Sequence, residues 1–195
     1  DRVLLRSAGW RWDPEARQWW TDEPAKAVRL AQFANDGDRA ELEGWADQYR
    51  QKIADSRSKD AGIAVPSPPG LAYLPFQRAG VAFMKDREGV LLADDMGLGK
   101  TVEIAGYLNL RPDVRRVLIV CPAHLRLNWY RELKKWDVHN RHLSHPMDAR
   151  ESYDVNIISY EAAVHGWGQD LDLLVCDEGQ YLKNPCAQRT RAVLG

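Results

Sequence analysis

Hydrophobic positions fall into two textures along this chain. From Leu71 onward, short apolar runs at 89–93 (GVLLA), 117–121 (VLIVC), 155–159 (VNIIS) and 171–176 (LDLLVC) alternate with stretches whose apolar residues recur at helical spacing. Runs that are apolar nearly throughout predict strands buried on both faces, and their alternation with helices predicts an α/β fold with a parallel sheet covered on both sides. Before Leu71 the pattern is different. Trp10 and Trp12 alternate, DPEAR at 13–17 signals a turn, and QWWT at 18–21 predicts the returning strand of a hairpin. EPAKAVRLAQFAND then carries Val28, Leu30, Ala31, Phe33 and Ala34 at helical spacing, and DRAELEGWADQYRQKIADSRSKD predicts a second, strongly charged helix. The proline- and glycine-rich AGIAVPSPPG reads as a linker. The expected organisation is a small α+β tryptophan-rich module at 1–57, a linker at 58–70 and an α/β lobe at 71–195.

The chemistry sits where two of these runs end. GVLLADDMGLGKTVE (89–103) reads as a buried strand, a glycine turn and a helix start. The first turn of a helix presents unpaired N–H groups and a partial positive charge, both suited to phosphate. Gly97 and Gly99 let the backbone curl, Lys100 can reach the outer phosphates of a nucleotide, and the Thr101 hydroxyl can ligate Mg²⁺. The strict phosphate-loop pattern asks for glycine at position 94, where this chain has Asp94. The second site is LDLLVCDEGQ, a strand ending in the adjacent carboxylates Asp177 and Glu178. Ligands of such sheets lie at the carboxyl ends of the strands. Asp177 is the candidate to hold the metal through water, and Glu178 the candidate to polarise an attacking water.

Together these segments resemble the first RecA-like lobe of superfamily-two helicases, in particular the Swi/Snf-type DNA-dependent ATPases. LAYLPFQRAGVAFM is similar to that family's Q motif, LLADDMGLGKT to motif I with its aspartate at 94, and VLIVCPAHLRLNWYRELKKW to motif Ia, where Pro122, Leu127, Trp129 and Glu132 fall on the pattern. VNIISYEAA and DEGQYLKNPCAQRTRAV resemble the approach to motif II and motif II itself. The resemblance implies ATP and Mg²⁺ as cofactors, with Gln77 selecting adenine, and Asp95, Met96, Gly97, Leu98, Gly99, Lys100, Thr101 and Val102 forming the nucleotide cradle. It implies that Thr101 and Asp177 support the metal and that Lys100, Asp177 and Glu178 carry the catalysis. It also implies that Gln180, where the family more often has histidine, couples ATP to motion, and that Pro122 and His124 lie near DNA. Within the family, LPFQRAGV and LLADDMGLGKT look most like the annealing-helicase (HARP-type) branch, and WDPEARQWWT resembles the hairpin of HARP-like domains. The expected function is an ATP-driven translocase or remodeller of duplex or forked DNA, bound through sequence-independent backbone contacts. A phosphate-loop ATPase acting on another kind of partner and a non-catalytic nucleotide-gated scaffold are the alternatives. A second RecA-like lobe with its arginine fingers is expected beyond Gly195, and the chain alone is expected to be nearly inactive.

Composition narrows this only modestly. The 195 residues carry a net charge of −1, so a nucleic-acid surface would have to be a local patch. Three cysteines without CxxC spacing predict neither a disulfide framework nor a zinc site, and an intracellular, cytoplasmic or nucleoid/nuclear setting follows by default. The apolar runs are far too short to span a bilayer. His139, His142 and His145 are evenly spaced, but no cysteine or acid completes a metal set, and the segment reads as a loop. Arg126, Arg131, Lys134 and Lys135 suit either a DNA backbone or a solvated helix face. Trp10, Trp12, Trp19 and Trp20 suit either the core of a small domain or base stacking.

Overall fold

The structure is a computed structural model that describes residues 2–21, 24–33, 36–95, 97–145, 153–165 and 170–194. The chain separates into two units, Asp1–Ser58 and Lys59–Gly195. In the first, α1 (Arg2–Ser7) leads into an antiparallel hairpin of β1 (Arg11–Asp13) and β2 (Gln18–Trp20). The Asp13 carboxylate accepts the amides of Glu15 and Ala16 at 2.9 and 3.0 Å, which closes the DPEAR turn. The expected first helix is divided into α2 (Pro24–Ala27) and a 3₁₀ segment (Val28–Phe33), and α3 (Asp36–Ser56) follows. Among the described residues of this unit the buried ones are Ala27, Ala31 and Ala46, small side chains that let these elements approach closely. Trp12 packs against Trp19 across the hairpin while Arg11 lies over the ring of Trp20. Trp12 and Trp20 nonetheless stay 44% and 39% exposed, so the hairpin tryptophans flank this unit more than they fill it.

The second unit opens with α4 (Pro75–Lys85) and α5 (Lys100–Leu110). It is built on a parallel sheet of β3 (Val117–Cys121) in the centre, β4 (Val155–Ser159) on one side and β5 (Leu173–Cys176) on the other. Ile119 is in register with both Ile157 and Val175. Successive side chains point to opposite faces. Val117, Ile119, Cys121, Val155 and Ile157 join a core with Val81 and Met84 of α4, Ile104 and Leu108 of α5, and Leu133 and Trp136 of α6 (Arg126–Trp136). On the opposite face Leu118, Val120 and Ile158 pack with Tyr160 and Ala163 of α7 (Tyr160–Ala163) and with Val193 of α8 (Gln188–Leu194). Helices therefore cover both faces, as the apolar runs demand. β5 starts at Leu173 because Asp172 is turned to the amides of Arg115 and Arg116 and to the Arg116 guanidinium.

Two expectations are corrected. Residues 89–93 form no strand: the segment is extended, but no ladder pairs it to the sheet. Val90 and Leu92 pack on the core while Leu91 is 83% exposed, so one face of the run is wet. A strand needs a hydrogen-bonded neighbour, and none of the described residues supplies one. The expected linker is the other correction, since from Lys59 onward it belongs to the second unit. Ile63 and Val65 pack on the core, Asp60 pairs with Arg78 at 2.9 Å, and the Pro66 carbonyl accepts from Asn109 at 3.2 Å.

Asn109 is the polar knot of this unit. Only 1% exposed, its Nδ2 also lies 2.9 Å from the Tyr73 hydroxyl and 2.7 Å from the Trp136 carbonyl, while its Oδ1 accepts the Val138 amide. It ties the end of α5 to the incoming segment, the approach to α4 and the end of α6. Replacing it by alanine leaves the buried Trp136 carbonyl and the Val138 amide short of partners and removes one of the two donors to the Pro66 carbonyl. Asn109→Ala is expected to lower unfolding free energy by roughly 2–4 kcal/mol in urea titrations. A loss below ~0.5 kcal/mol would show that the knot is dispensable.

Candidate functional site

The glycine turn has the backbone its sequence asks for. Gly97 and Gly99 both lie at φ +87°, a left-handed conformation that costs an L side chain but not glycine. Gly99 is the N-cap of α5 and supplies no capping side chain. Lys100, the first residue of the helix, curls back so that its Nζ donates to the Asp94 carbonyl at 2.7 Å and the Asp95 carbonyl at 3.2 Å. Thr101 and Val102 follow in the first turn, half-buried, whereas Asp94 and Asp95 are exposed. Met96 lies outside the described residues.

Gln77 closes the turn from the side of α4. It is 6% exposed; its Oε1 accepts the Leu74 amide at 3.0 Å and its Nε2 donates to the Leu98 carbonyl at 3.2 Å. A Cβ on Gly99 would lie 2.7 Å from that Nε2, so a side chain there would push the Gln77 amide off the Leu98 carbonyl besides straining φ. One turn further along α5, Glu103 is completely buried, and neither carboxylate oxygen has a hydrogen-bond partner among the described residues. Gly80 of α4 sits against it: a Cβ there would be 2.9 Å from the carboxyl group. Burial, helped by the Asp94 carboxylate and opposed by Lys100, pushes the Glu103 carboxyl up to about 7.

At the end of β5 the acidic pair is held tightly. The Asp177 amide continues the ladder to the Val120 carbonyl at 2.9 Å. Its own carbonyl accepts the Tyr160 hydroxyl at 2.7 Å, and its Oδ2 accepts the indole Nε1–H of Trp129 at 2.8 Å. Tyr160 is stacked on Tyr181, with ring centroids 5.0 Å apart. Glu178 is in the left-handed region at φ +56°, a strained conformation for a non-glycine residue. Gln180 donates to its Oε2 at 2.6 Å. Thr101 and Asp177 offer hard oxygen donors of the kind Mg²⁺ prefers, so the residue set fits that ion.

The expected residues thus form two groups. Gln77, Leu98, Gly99 and Lys100 are interlinked at the glycine turn, and Asp177, Glu178 and Gln180 at the end of β5. No hydrogen bond or ion pair among the described residues joins the groups directly; α6 packs beside α5 and sends Trp129 to Asp177. Of the two residues expected near DNA, Pro122 is buried and His124 is exposed on the turn before α6. His139, His142 and His145 are engaged separately, with the Asn109 carbonyl, Tyr153 and Tyr130. Sequence reasoning assigned no role to Trp129, Tyr160 or Glu103. Trp129 fell on the motif Ia pattern without a stated role, because the direction of an indole N–H has no sequence signal. A glutamate in the first turn of a helix is ordinary at a surface, so the burial of Glu103 had no sequence signal either.

Comparison with known proteins follows the same segment. Residues 76–195 match the SNF2-related domain. The chain is 33% identical over 150 residues to the DNA repair and recombination protein RAD54B of Gallus gallus, covering 61% of this chain and 16% of that protein. It is 32% identical over 138 residues to the DNA annealing helicase and endonuclease ZRANB3 of Bos taurus, covering 62% and 13%. Among solved structures, the Sulfolobus solfataricus SWI2/SNF2 ATPase core in complex with dsDNA superposes with a TM-score of 0.58 at 26% identity, over 67% of this chain and 31% of that one. The parallel sheet with its helices is thus the RecA-like lobe fold of that core, and the chain spans under a fifth of the curated relatives it matches.

Glu103 makes stability depend on pH. Unfolded, its carboxyl ionises near 4.5, whereas folded it keeps its proton up to about 7. In that window the folded state binds more protons, so its stability falls as pH rises through it and is level above. Relative to Glu103→Gln, the wild type is expected to lose about 3 kcal/mol between these limits, read from denaturant titrations at a series of pH values. Parallel curves for the two proteins would refute the buried carboxyl.

Proposed function

The chain belongs to the SNF2-related domain family, and from that premise we propose that it is the nucleotide-binding lobe of a DNA-dependent ATPase that translocates on or remodels duplex DNA. The observation that carries this reading is the glycine-capped start of α5, with Lys100 poised over its own loop, in a lobe whose β5 ends in an acidic pair. ATP is the substrate. Lys100 exchanges the carbonyls of Asp94 and Asp95 for phosphate oxygens, the open first turn of α5 receives further phosphate oxygens, and Gln77 stands at the adenine side. Mg²⁺, when bound, neutralises phosphate charge, with the Thr101 hydroxyl and Asp177 as its protein supports. Glu178 accepts the proton of the attacking water through the carboxylate oxygen that Gln180 leaves uncommitted.

Double-stranded DNA as partner is supported by the solved SWI2/SNF2 core, which is held with dsDNA, and by the repair and recombination role named for RAD54B. The turn carrying His124, ahead of the basic face of α6, is the surface that would meet it. Strand annealing or fork remodelling is the finer reading, supported by the likeness to ZRANB3 and by the branch-like motifs. A second lobe of the same protein supplies the arginine fingers, and the tryptophan-rich unit Asp1–Ser58 acts as an accessory module. The protein works inside the cell; among the described residues no helix is long and apolar enough to cross a membrane.

ATP hydrolysis by the full-length protein is expected to rise on adding duplex DNA and to rise further with forks. Glu178→Gln is expected to cut kcat by roughly a hundredfold or more with KM for ATP nearly unchanged, and Lys100→Ala to abolish nucleotide binding. A rate indifferent to every form of DNA would point to an ATPase with another kind of partner.

A further inference from the structure

We propose that Trp129 is a positioning residue that aims the Asp177 carboxylate at the divalent cation. Trp129 lies on the first turns of α6, only 3% exposed, and spends its single polar group on Asp177 Oδ2 at 2.8 Å. Core satisfaction does not account for this bond. Trp136, two turns along the same helix and equally part of the core, keeps its Nε1 buried with no partner among the described residues. The fold therefore tolerates an unpaired indole, yet at Trp129 the N–H meets Asp177, the first of the two carboxylates after β5.

Asp177 is consequently held at three points: its amide by the Val120 carbonyl, its carbonyl by the Tyr160 hydroxyl and one carboxylate oxygen by the indole. Backbone and one carboxylate oxygen are both held, which leaves Oδ1 as the oxygen offered to a metal-bound water. The indole is neutral, so it orients the carboxylate without cancelling its charge. Such outer contacts to a metal-supporting carboxylate typically carry about tenfold or more in metal affinity. This inference rests on the nucleotide reading given above.

Binding of fluorescent mant-ADP to the full-length protein, titrated with Mg²⁺ and separately in EDTA, isolates the role. Trp129→Phe keeps an aromatic ring in the core and removes the donor. It is expected to reduce the gain in affinity conferred by Mg²⁺ roughly tenfold while leaving affinity in EDTA unchanged. In an Asp177→Ala background the same replacement is expected to change nothing further. An unchanged Mg²⁺ gain, or equal losses with and without Mg²⁺, would overturn the proposal. If Lys100→Ala binds mant-ADP as well as wild type, the nucleotide reading falls and takes this proposal with it; if only Trp129→Phe is silent, the nucleotide reading stands. Should Trp129→Phe fail to fold, ¹⁵N-tryptophan spectra of the wild type provide the second measurement. One indole N–H signal must move on Asp177→Asn and on adding Mg²⁺·ADP, and no such movement would overturn the assignment.

Discussion

A strand buried on both faces can carry no polar chemistry along its length, so whatever chemistry the sheet supports must begin where its strands stop. β3, β4 and β5 run parallel, and all three stop at the same edge of the sheet. β3 gives way to Pro122 and the turn with His124, β4 to the Ser159 cap and Tyr160, and β5 to Asp177 and Glu178. Register delivers these three ends to one rim, which is why Tyr160 from one strand end can grip Asp177 at another. The distance in sequence between the motifs is immaterial once the ladder is in place.

How much of this could be read beforehand follows from the same constraint. Continuous apolar runs are a faithful signature of doubly covered strands, and 117–121 and 155–159 were legible to the residue. The run at 89–93 has the same composition and forms no strand, because hydrophobicity reports burial and not hydrogen bonding, and Leu91 is in fact wet. The proline-rich stretch before Leu71 misled in the opposite direction. Prolines bar helix and ladder, but Pro66 still presents a carbonyl to Asn109, and Ile63 and Val65 still seek the core. At the candidate site, the residue types suited to phosphate and metal were legible from their spacing. Their supports were not, since a buried indole looks the same in sequence whether its N–H meets a carboxylate or nothing, as Trp129 and Trp136 demonstrate.

The joint between α4 and α5 brings these themes together. Gly80 faces Glu103, and a Cβ at Gly106 would come within 2.8 Å of Val81, so each helix yields a side chain where the other is bulky. This close approach lets Gln77 reach across to the Leu98 carbonyl and confines the glycine turn. A buried carboxyl at such a joint is costly when ionised, and the chain retains it one turn past Lys100.

The lysine folded over its own loop has one more consequence. Two of the three N–H donors of that ammonium group are already taken by main-chain oxygens, so the loop partly solvates its own cation. On the proposed nucleotide reading, a polyphosphate could engage the helix start as well, so the loop would discriminate by the number of simultaneous contacts a guest can make and not by charge alone.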